Sequence, residues 1–319
     1  MKLVILSCVF NDWESAQELL VLLNTELSGA AITADVLLVD DGSTQSRPDQ
    51  LHTKNLSALR SVQVLPLRNN MGHQRAIAIG LSYIYEKKPC DAVVVMDSDG
   101  EDEPADVVRL VRALQAQPDK IIFAERTNRS EGIIFTLFYH IYRWFFSKLT
   151  GQKIRFGNFS ILPYAILGKC VVDMNLWNHY AAAIAGSKIK YDAIPSKRGK
   201  RLYGKSKLNF TALVIHGLSA MSCYNEIIAA RLLFMSLVTI AIFFSCIVGI
   251  VLVRLFTQLA VAGWATYTIG LLTIISLQVL LLSTTFMFTL LGNRKNQPFI
   301  PLRDYGHFIA QMRDGYVNE

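Results

Sequence analysis

The sequence predicts an α/β domain with a doubly wound, mostly parallel β-sheet, followed by a hairpin of two transmembrane helices. In residues 1–125, short apolar and β-branched runs alternate with helical patterns, which is typical of parallel strands joined by helices. In residues 232–292, Arg254 is the single charged residue, although 18% of the chain is charged. Soluble domains carry about 25% charged residues. The local deficit therefore excludes a disordered chain and a simple soluble enzyme.

The N-terminal part contains the patterns of five strands and three helices. The strands are predicted at Leu3–Phe10, Val36–Asp40, Val62–Leu67, Ala92–Met96 and Ile121–Ala124, and the helices at Trp13–Leu27, Gln74–Tyr85 and Ala105–Ala116. The first apolar run lacks the long core and the cleavage site of a signal peptide, so we interpret it as a strand. Open parallel sheets bind ligands at the carboxyl ends of their strands. The polar residues that follow these strands are therefore the first candidates for a site.

An aromatic segment at residues 133–150 differs from an ordinary amphipathic helix. Seven of the twelve residues from Phe135 to Phe146 are aromatic, and the segment is too short to cross a bilayer. A buried core helix is one interpretation. We favour a helix lying in the membrane interface, because aromatic and basic side chains prefer that zone.

Two transmembrane helices are predicted at about residues 232–253 and 265–291. Each is long enough to cross a ~30 Å hydrocarbon core at a rise of ~1.5 Å per residue. Basic residues flank the outer ends of the pair, which by the positive-inside rule places both ends in the cytoplasm. We expect a cytoplasmic domain at 1–225, a membrane hairpin at 226–292 and a cytoplasmic tail at 293–319, in a protein of the inner membrane. A buried helical hairpin of a soluble protein is the alternative.

A strongly basic window at residues 188–207 contains eight lysine and arginine residues and one acid, Asp192, in a chain of formal net charge +7. Such a window fits a solvated loop, a phosphate-binding loop, a contact with anionic membrane or a nucleic-acid patch. The five cysteines have no paired spacing, so they indicate neither a zinc site nor a disulfide framework, which fits a reducing compartment.

Two carboxylates, Asp97 and Asp99, directly follow the apolar run Ala92–Met96. Carboxylates one residue apart at the end of a parallel strand can share a hard divalent cation, which prefers oxygen ligands and leaves positions for substrate phosphates. The alternative is an acid-rich helix start, because Glu103 and Pro104 open the next predicted helix.

Polar residues also follow the first two predicted strands. Asp40 and Asp41 end the second strand and precede Gly42 and Ser43, which predicts a tight turn with its acceptors at the ligand crevice. The first strand ends in Phe10, Asn11 and Asp12, which offer a ring for stacking on a base and groups for hydrogen bonds to it. Taken singly, each is an ordinary turn or helix cap. Their joint position at neighbouring strand ends indicates a binding site.

Four segments in order, VILSCVFNDWES, LLVDDGST, LRNNMGHQRAIAIGL and VVVMDSDGEDEP, resemble glycosyltransferase family 2, whose members transfer sugars from nucleotide donors with inversion on a GT-A fold. With its two C-terminal apolar spans, the chain is most similar to membrane-anchored polyprenyl-phosphate sugar transferases, a group that includes dolichyl-phosphate mannose synthases. The resemblance extends over about residues 1–295.

The resemblance implies roles for the residues at the strand ends. Asp40 and Asp41 would hold the nucleoside together with the first turn, Phe10, Asn11 and Asp12. Asp97 and Asp99 would bind Mg²⁺ or Mn²⁺ that bridges the donor diphosphate, and Glu101 could add a further ligand. The metal would offset the charge that develops on the leaving nucleotide.

The resemblance also assigns basic residues to phosphates. Arg126 matches a family arginine near the diphosphate or the acceptor phosphate. The segment from Arg198 to Lys207, with Arg201 and Lys205, resembles a basic loop that closes over the donor and reaches a lipid phosphate. This favours phosphate and membrane contact for the basic window and argues against nucleic acid. Asp99, Arg126 and Arg201 are the residues that we expect to take part in catalysis.

One segment differs from the family pattern. Gly157-Asn158-Phe159-Ser160 stands where family members have Gly-Asp-Phe-Arg or Ser-Gly-Phe-Arg. An amide cannot act as a general base, so a hydroxyl acceptor would lack its base at Asn158. A phosphate acceptor is already ionised and needs none. We do not expect His73 to be catalytic, since a loop histidine is more often structural, and we discount the similarity of His140–Trp144 to a motif of processive synthases.

The sequence therefore predicts an inverting transferase that moves a sugar from a UDP- or GDP-linked donor to a polyprenyl phosphate at the cytoplasmic membrane face. One alternative is transfer to a lipid-linked glycan during assembly of a surface polysaccharide. A second alternative is a membrane-anchored binding or scaffold protein without turnover. The retained Asp97 and Asp99 argue against this second alternative.

Overall fold

The structure is a computed structural model of the chain. It describes residues 1–45, 56–126, 133–152, 156–204, 210–257, 263–293, 299–310 and 316–317, with the backbone alone at 133–141, 210 and 316–317. The chain divides into two compact units. The sheet unit comprises Met1–Trp144, Gln152–Cys223 and Phe299–Glu319, and the helical unit comprises Phe145–Gly151 and Tyr224–Pro298.

Eight strands and ten α-helices are described in these residues. The strands are β1 Leu3–Val9, β2 Ala34–Asp40, β3 Leu59–Pro66, β4 Ala92–Asp97, β5 Ile121–Arg126, β6 Ser160–Pro163, β7 Tyr191–Ser196 and β8 Tyr316–Val317. The helices are α1 Trp13–Gly29, α2 His73–Lys87, α3 Pro104–Ala116, α4 Ile133–Thr150, α5 Tyr164–Val171, α6 Tyr180–Gly186, α7 Phe210–Ser222, α8 Asn225–Phe256, α9 Trp264–Asn293 and α10 Pro301–Asp304. Two short 3₁₀ helices lie at Met174–Trp177 and Tyr305–Phe308.

The strands form one sheet in the order β7-β5-β6-β4-β1-β2-β3-β8. Strands β1, β2, β3 and β4 are parallel to one another, whereas β6 is antiparallel to both β4 and β5. Alternate side chains of β1 enter opposite cores. Leu3 and Ile5 pack with residues of α1 and α3, and Val4 and Leu6 pack with residues of α2, α5 and α6. Helices thus cover both faces, which confirms the predicted doubly wound, mostly parallel sheet.

The five predicted strands are all present, but β6, β7 and β8 were not predicted. Strand β6 has four residues, all buried, which is too short for a period-2 pattern to emerge. Strand β7 lies inside the basic window and contains Asp192 and Pro195. Proline is tolerated in a strand at the edge of a sheet, and β7 is an edge strand. Strand β8 has only two residues, which pair with β3.

The chain returns to the sheet unit after α9. Phe299 and Phe308 lie against Trp177, with ring centroids 4.0 Å and 5.2 Å away. The backbone carbonyls of Phe308 and Ile309 accept hydrogen bonds from the backbone N–H and the Nε of Arg68, 2.9 Å and 3.0 Å long. Arg68 follows β3 and opens the loop 67–72, so this C-terminal segment supports that loop from outside the sheet.

The helical unit contains α8 and α9, which pack against each other. Both helices are long and apolar enough to cross a membrane, and only 6% and 0% of their most apolar stretches are buried within the protein. A core helix of a soluble domain would be mostly buried, so the exposure argues against the alternative of a soluble helical hairpin. The two predicted apolar spans lie inside these helices.

The aromatic segment forms α4 over the predicted range. Phe146 lies in the helical unit and is buried, with its ring at 5.7 Å from that of Tyr224. Trp144 and Phe145, in contrast, are 57% and 50% exposed. Exposed aromatic rings beside a buried one fit a helix at a membrane surface. That location remains a prediction.

Candidate active site

The sheet order brings the predicted site residues together. Strands β4, β1 and β2 are neighbours, and the register pairs Cys8 with Asp97 and Val9 with Asp40. Because these strands are parallel, their carboxyl ends meet at one edge of the sheet. The turn after β1, the turn after β2 and the acids after β4 therefore face a common crevice. Ser98 contributes to this arrangement, since its hydroxyl donates to the Cys8 carbonyl at 2.8 Å.

Asp41 holds the loop that leads into α2. Its two carboxylate oxygens accept hydrogen bonds from the backbone N–H groups of Met71, at 2.7 Å, and Gly72, at 2.9 Å. Burial raises the pKa of Asp41 above its ordinary value, although the two N–H donors act to lower it. The adjacent Gly42 has a φ of 69° and lies so close to Asn70 that a Cβ would be 2.5 Å from the Asn70 backbone nitrogen. The turn after β2 and the loop 67–72 are therefore held in contact.

Asn11 plays the same part for the turn after β2. Its side-chain oxygen accepts hydrogen bonds from the backbone N–H groups of Thr44, at 2.8 Å, and Gln45, at 2.9 Å. Asp40 accepts from the N–H of Ser43 at 3.0 Å. Phe10 is 37% exposed at the end of β1, so part of its ring surface is open to a ligand. The predicted nucleoside residues accordingly lie in one cluster, in which Asn11 and Asp41 also position the loops.

Asp97 is paired with His73 at the start of α2. The distance from His73 Nε2 to Asp97 Oδ1 is 3.0 Å. Burial opposes protonation of this imidazole, but Asp97 and the nearby Asp102 and Asp41 outweigh it and raise the pKa of His73. His73 therefore lies in the site, although the sequence analysis interpreted it as a structural residue of a loop. The signal that could have found it is its place within the segment LRNNMGHQRAIAIGL, directly before the predicted helix Gln74–Tyr85.

Asp102 is a buried member of the site that the sequence did not single out. One of its oxygens accepts from the Asp97 backbone N–H at 2.9 Å, and the other accepts from Arg126 at 3.1 Å. Burial and the Asp97 carboxylate raise the pKa of Asp102 to about 7, against the lowering influence of Arg126. Arg126, at the end of β5, is anchored by this contact and also lies 3.6 Å from Glu101.

The basic segment 198–204 lies along the acids that follow β4. Arg201 donates to Asp99 Oδ2 at 2.7 Å and also forms an ion pair with Asp12. Arg198 contacts both oxygens of Glu101 at 2.9 Å. The backbone takes part as well, because Leu202 N–H donates to the Asp99 carbonyl at 2.8 Å. Arg126, Arg198 and Arg201 thus converge on the acids; their predicted contact with substrate phosphates stays a prediction. Lys205 and Lys207 lie outside the described residues.

The close contact between these two segments depends on glycine. A Cβ on Gly199 would lie 2.4 Å from the Gly100 carbonyl oxygen, and a Cβ on Gly100, whose φ is 84°, would meet the Leu202 side chain. The Gly199 N–H donates to the Glu101 carbonyl at 2.9 Å. These two glycines let the backbone that carries Arg198 and Arg201 approach the acids closely.

The carboxylates that follow β4 are of the chemical type that binds divalent cations. Asp97, Asp99 and Glu101 offer carboxylate oxygens, which Mg²⁺ and Mn²⁺ prefer. Asp97 is paired with His73, Asp99 with Arg201, and Glu101 with Arg198. Each carboxylate therefore faces a cationic or protonatable side chain. Among the described residues, no group of three or more His, Cys, Asp or Glu side chains is arranged to hold a metal ion. Asp97, Asp99 and Glu101 therefore match a divalent cation in chemistry, without forming a ligand cluster among the described residues.

Asn158 lies at the same site. Its Nδ2 is 3.1 Å from His73 Nε2, and its Oδ1 accepts from Gln74 at 3.3 Å. The neighbouring Ser160 contacts the Tyr180 hydroxyl at 2.7 Å in the core. Residue 158, where the pattern that the sequence resembles has Asp or Gly, thus lies beside His73 and holds an amide. No titratable group stands at residue 158 to accept a proton.

Comparisons with known proteins identify the family to which the chain is similar. The model of the family described as glycosyl transferase family 2 matches residues 4–174. The undecaprenyl-phosphate 4-deoxy-4-formamido-L-arabinose transferases of Salmonella choleraesuis and Salmonella typhimurium are each 23% identical to the chain over 218 residues. These matches cover 67% of this chain and 64% of the relatives' own length.

A solved structure supports the fold. The glucosyl-3-phosphoglycerate synthase of Mycobacterium tuberculosis, in complex with Mn²⁺, uridine diphosphate and phosphoglyceric acid, aligns with a TM-score of 0.50 and 13% identity over 71% of this chain and 78% of that one. At this identity the likeness concerns the fold alone. The family model covers more than half of the chain, and the resemblance inferred from the four sequence segments is confirmed. The chain belongs to glycosyl transferase family 2.

Proposed function

We propose that the protein transfers one sugar from a UDP- or GDP-linked donor to a polyprenyl phosphate, with inversion. The observation that carries the proposal is the convergence of Arg126, Arg198 and Arg201 on the acids at the end of β4. A nucleotide diphosphate and a lipid phosphate both need such cations. The two long apolar helices and the names of the relatives support a lipid acceptor.

Each residue of the site has a separate role in the proposed transfer. Phe10 stacks on the base, while Asp40 binds the nucleoside from the loops that Asn11 and Asp41 hold. Asp97 and Asp99, with Glu101 close by, would hold Mg²⁺ or Mn²⁺, which when bound offsets the charge that develops on the leaving nucleotide. Arg201 lies beside Asp99 and Arg126 is fixed by Asp102, so their charge is in place before the donor diphosphate departs.

The acceptor assignment follows from the absence of a base at residue 158. In an inverting transfer, an acceptor oxygen attacks the anomeric carbon from the face opposite the leaving diphosphate. A sugar hydroxyl has to lose a proton in that step, and Asn158 cannot take it. A phosphate monoester is ionised at neutral pH and attacks directly. The geometry therefore favours a polyprenyl phosphate over a lipid-linked glycan, which is the alternative acceptor.

The direct test uses the purified chain in lipid with a panel of radiolabelled nucleotide sugars and either undecaprenyl phosphate or a lipid-linked glycan. We expect label in a lipid-phosphate sugar with one donor and no label in the glycan. Transfer to the glycan alone would reject the polyprenyl-phosphate acceptor. Absence of turnover with every donor, under conditions where the nucleotide still binds, would favour the non-catalytic scaffold.

Replacement of Arg201 by Ala should lower kcat/KM for transfer by about 10-fold or more, because a charge-assisted contact contributes roughly 1.5–3 kcal/mol. Steady-state kinetics with each substrate varied in turn will separate the two phosphates. A rise in acceptor KM, partly mimicked by added salt, supports contact with the lipid phosphate. A rise in donor KM alone would assign Arg201 to the donor diphosphate and remove its support for a lipid phosphate.

Lys200→Ala is the matched control for this measurement. Lys200 is exposed and carries the same charge in the same segment, but it takes no part in the ion pairs with Asp12 and Asp99. We expect its kinetics to stay within about 2-fold of the unaltered enzyme, the size of an exposed-charge effect. An equal loss in both variants would mean that general positive charge, and not the Arg201 contacts, supports activity.

We further propose that the sheet unit faces the cytoplasm of the inner membrane, with α8 and α9 crossing it. Basic residues flank the outer ends of the helix pair, which supports this orientation. Single cysteines placed in a cysteine-free background at Asn293, at Gln258 and in the sheet unit will report the sides. We expect Gln258 to react from outside and the other two only after the membrane is opened. Labelling of Asn293 and the sheet unit from opposite sides would contradict the two-span arrangement.

A further inference from the structure

A pair of histidines outside the acidic cluster has a defined protonation pattern. His179 precedes α6, and its Nδ1 accepts a hydrogen bond from the Ala182 backbone N–H at 3.3 Å. A ring nitrogen that accepts from an N–H carries no proton itself, so the proton of neutral His179 is on Nε2. The helix cap thereby selects one tautomer of His179.

That tautomer determines the state of His216 on α7. The two Nε2 atoms are 3.2 Å apart, and the ring centroids are separated by 4.5 Å. A hydrogen bond between two imidazoles needs one donor and one acceptor. Because His179 donates, His216 Nε2 accepts, and the proton of neutral His216 is on Nδ1. His216 therefore presents an N–H group that the pair itself does not use.

The surroundings favour the neutral form of both histidines. Burial lowers the pKa of His179 to about 3, with His216 and His73 adding to the effect. Partial desolvation of the ring, which packs against His179, and the neighbouring His73 likewise lower the pKa of His216, although Asp97 opposes them. The charges of His73 and Asp97 both act on His216, so His216 lies within electrostatic range of the acids at the strand ends.

The two histidines differ in access to solvent. His179 is 7% exposed, whereas His216 is exposed on α7. The preceding Ile215 is apolar and 59% exposed, whereas the exposed Val214 and Leu218 are two residues away and therefore lie on the other side of the helix. A polar N–H beside an exposed apolar side chain suits a ligand with a phosphate joined to a hydrocarbon chain.

We propose that His216 Nδ1–H binds the acceptor phosphate, that the exposed side chain of Ile215 contacts the start of the lipid chain, and that His179 positions His216 by fixing its tautomer. The proposal rests on the proposed function, since it names the acceptor subsite of that site. A neutral donor of fixed tautomer can bind a phosphate oxygen without giving it a proton, so the oxygen stays nucleophilic.

The test compares His216→Ala, His216→Asn and His216→Gln. An asparagine amide reaches about as far as Nδ1 and can replace the donor, whereas a glutamine amide extends towards Nε2. We expect His216→Ala and His216→Gln to weaken binding of undecaprenyl phosphate and to raise its KM about tenfold, as for a hydrogen bond to a charged group. His216→Asn should recover most of that loss. Donor KM should be unchanged in all three variants.

His179→Asn separates positioning from helix capping. Asparagine is a good helix cap and can accept from the Ala182 N–H, but it is too short to donate to His216. We expect an unchanged thermal midpoint, a several-fold rise in acceptor KM, and ¹⁵N histidine chemical shifts in which His216 changes from the Nδ1–H form to a mixture of tautomers. The chain has six histidines, so the His216 signal can be assigned by its loss in His216→Asn.

Two results would overturn the assignment. One is a ¹⁵N spectrum of the unaltered protein with His216 protonated on Nε2. The other is binding of undecaprenyl phosphate by His216→Ala with the Kd of the unaltered protein. Failure of the unaltered protein to bind undecaprenyl phosphate at all would instead reject the proposed function together with this subsite. Inorganic phosphate serves as a competitor, and displacement of the lipid by phosphate at equal concentration would contradict the contact with the lipid chain.

Discussion

Replacement of Asp99 by Asn is expected to lower kcat/KM by about 100-fold or more, the size of effect seen when one electrostatic partner of a transition state is removed. Asp99 Oδ1 accepts from the Glu101 backbone N–H at 3.0 Å, and Oδ2 accepts from Arg201. An asparagine keeps an oxygen for the first contact and loses the negative charge. The turn should therefore persist while the proposed metal ligand is lost.

The measurement is turnover under saturating Mg²⁺ or Mn²⁺, together with the thermal midpoint in detergent. Asp119→Asn is the control, since Asp119 is an exposed acid paired with Lys190 away from the site. We expect the control to keep full activity and both variants to keep the unaltered thermal midpoint. Turnover of the unaltered enzyme that persists in EDTA at its normal rate would contradict the metal assignment.

Replacement of Gly42 by Ala is expected to have the largest effect on stability. Alanine at a φ of 69° costs about 1–2 kcal/mol for the backbone alone. The new Cβ would also lie 2.5 Å from the backbone nitrogen of Asn70, so the loop 67–72 has to move. That movement would break the contacts of Asp41 with Met71 and Gly72 and disturb His73. We expect a fall in thermal midpoint of about 5 °C or more and the loss of nucleotide binding.

Gly72→Ala isolates the backbone cost. Gly72 has a φ of 84°, but a Cβ there would meet no atom within 4 Å. Its ψ of 150° places it in a region almost restricted to glycine, so the thermal midpoint should fall by about 2–6 °C, while the two turns stay in contact and nucleotide binding remains. Loss of nucleotide binding in both variants would mean that backbone strain, and not the contact between the two turns, sets the effect at Gly42.

The element pattern of the sheet unit could be predicted because it depends on local signals. Strands such as Leu3–Val9 are buried on both faces and read as continuous apolar runs, and the helices between them are amphipathic. The edge strand Tyr191–Ser196 was missed, because only one of its six residues is buried and it contains a proline and an acid. Its place in the sheet follows from parallel pairing with β5 and not from its own composition.

The identity of most site residues could also be predicted, since acids after parallel strands have to meet at one edge. The contacts that these residues make could not be predicted. Asp41 was predicted to hold the nucleoside, and the structure gives both of its oxygens to the loop 67–72. His73 was assigned to loop structure, yet it lies 3.0 Å from Asp97. Such pairings depend on how two loops pack, and loop residues have no periodicity from which a packing direction could be inferred.

The family, the parallel sheet, the two apolar helices and the acids and arginines available for phosphates could all be inferred from the amino-acid sequence. Hydrophobic periodicity and residue order can be read directly from the sequence. Which partners meet is visible in the folded chain alone. Arg201 joins Asp99 and Asp12 from far along the chain, His179 meets His216, and the C-terminal segment returns to support the loop after β3. Hydrogen bonds and ion pairs act over about 3 Å, and such distances between remote residues are set by the packing of whole elements.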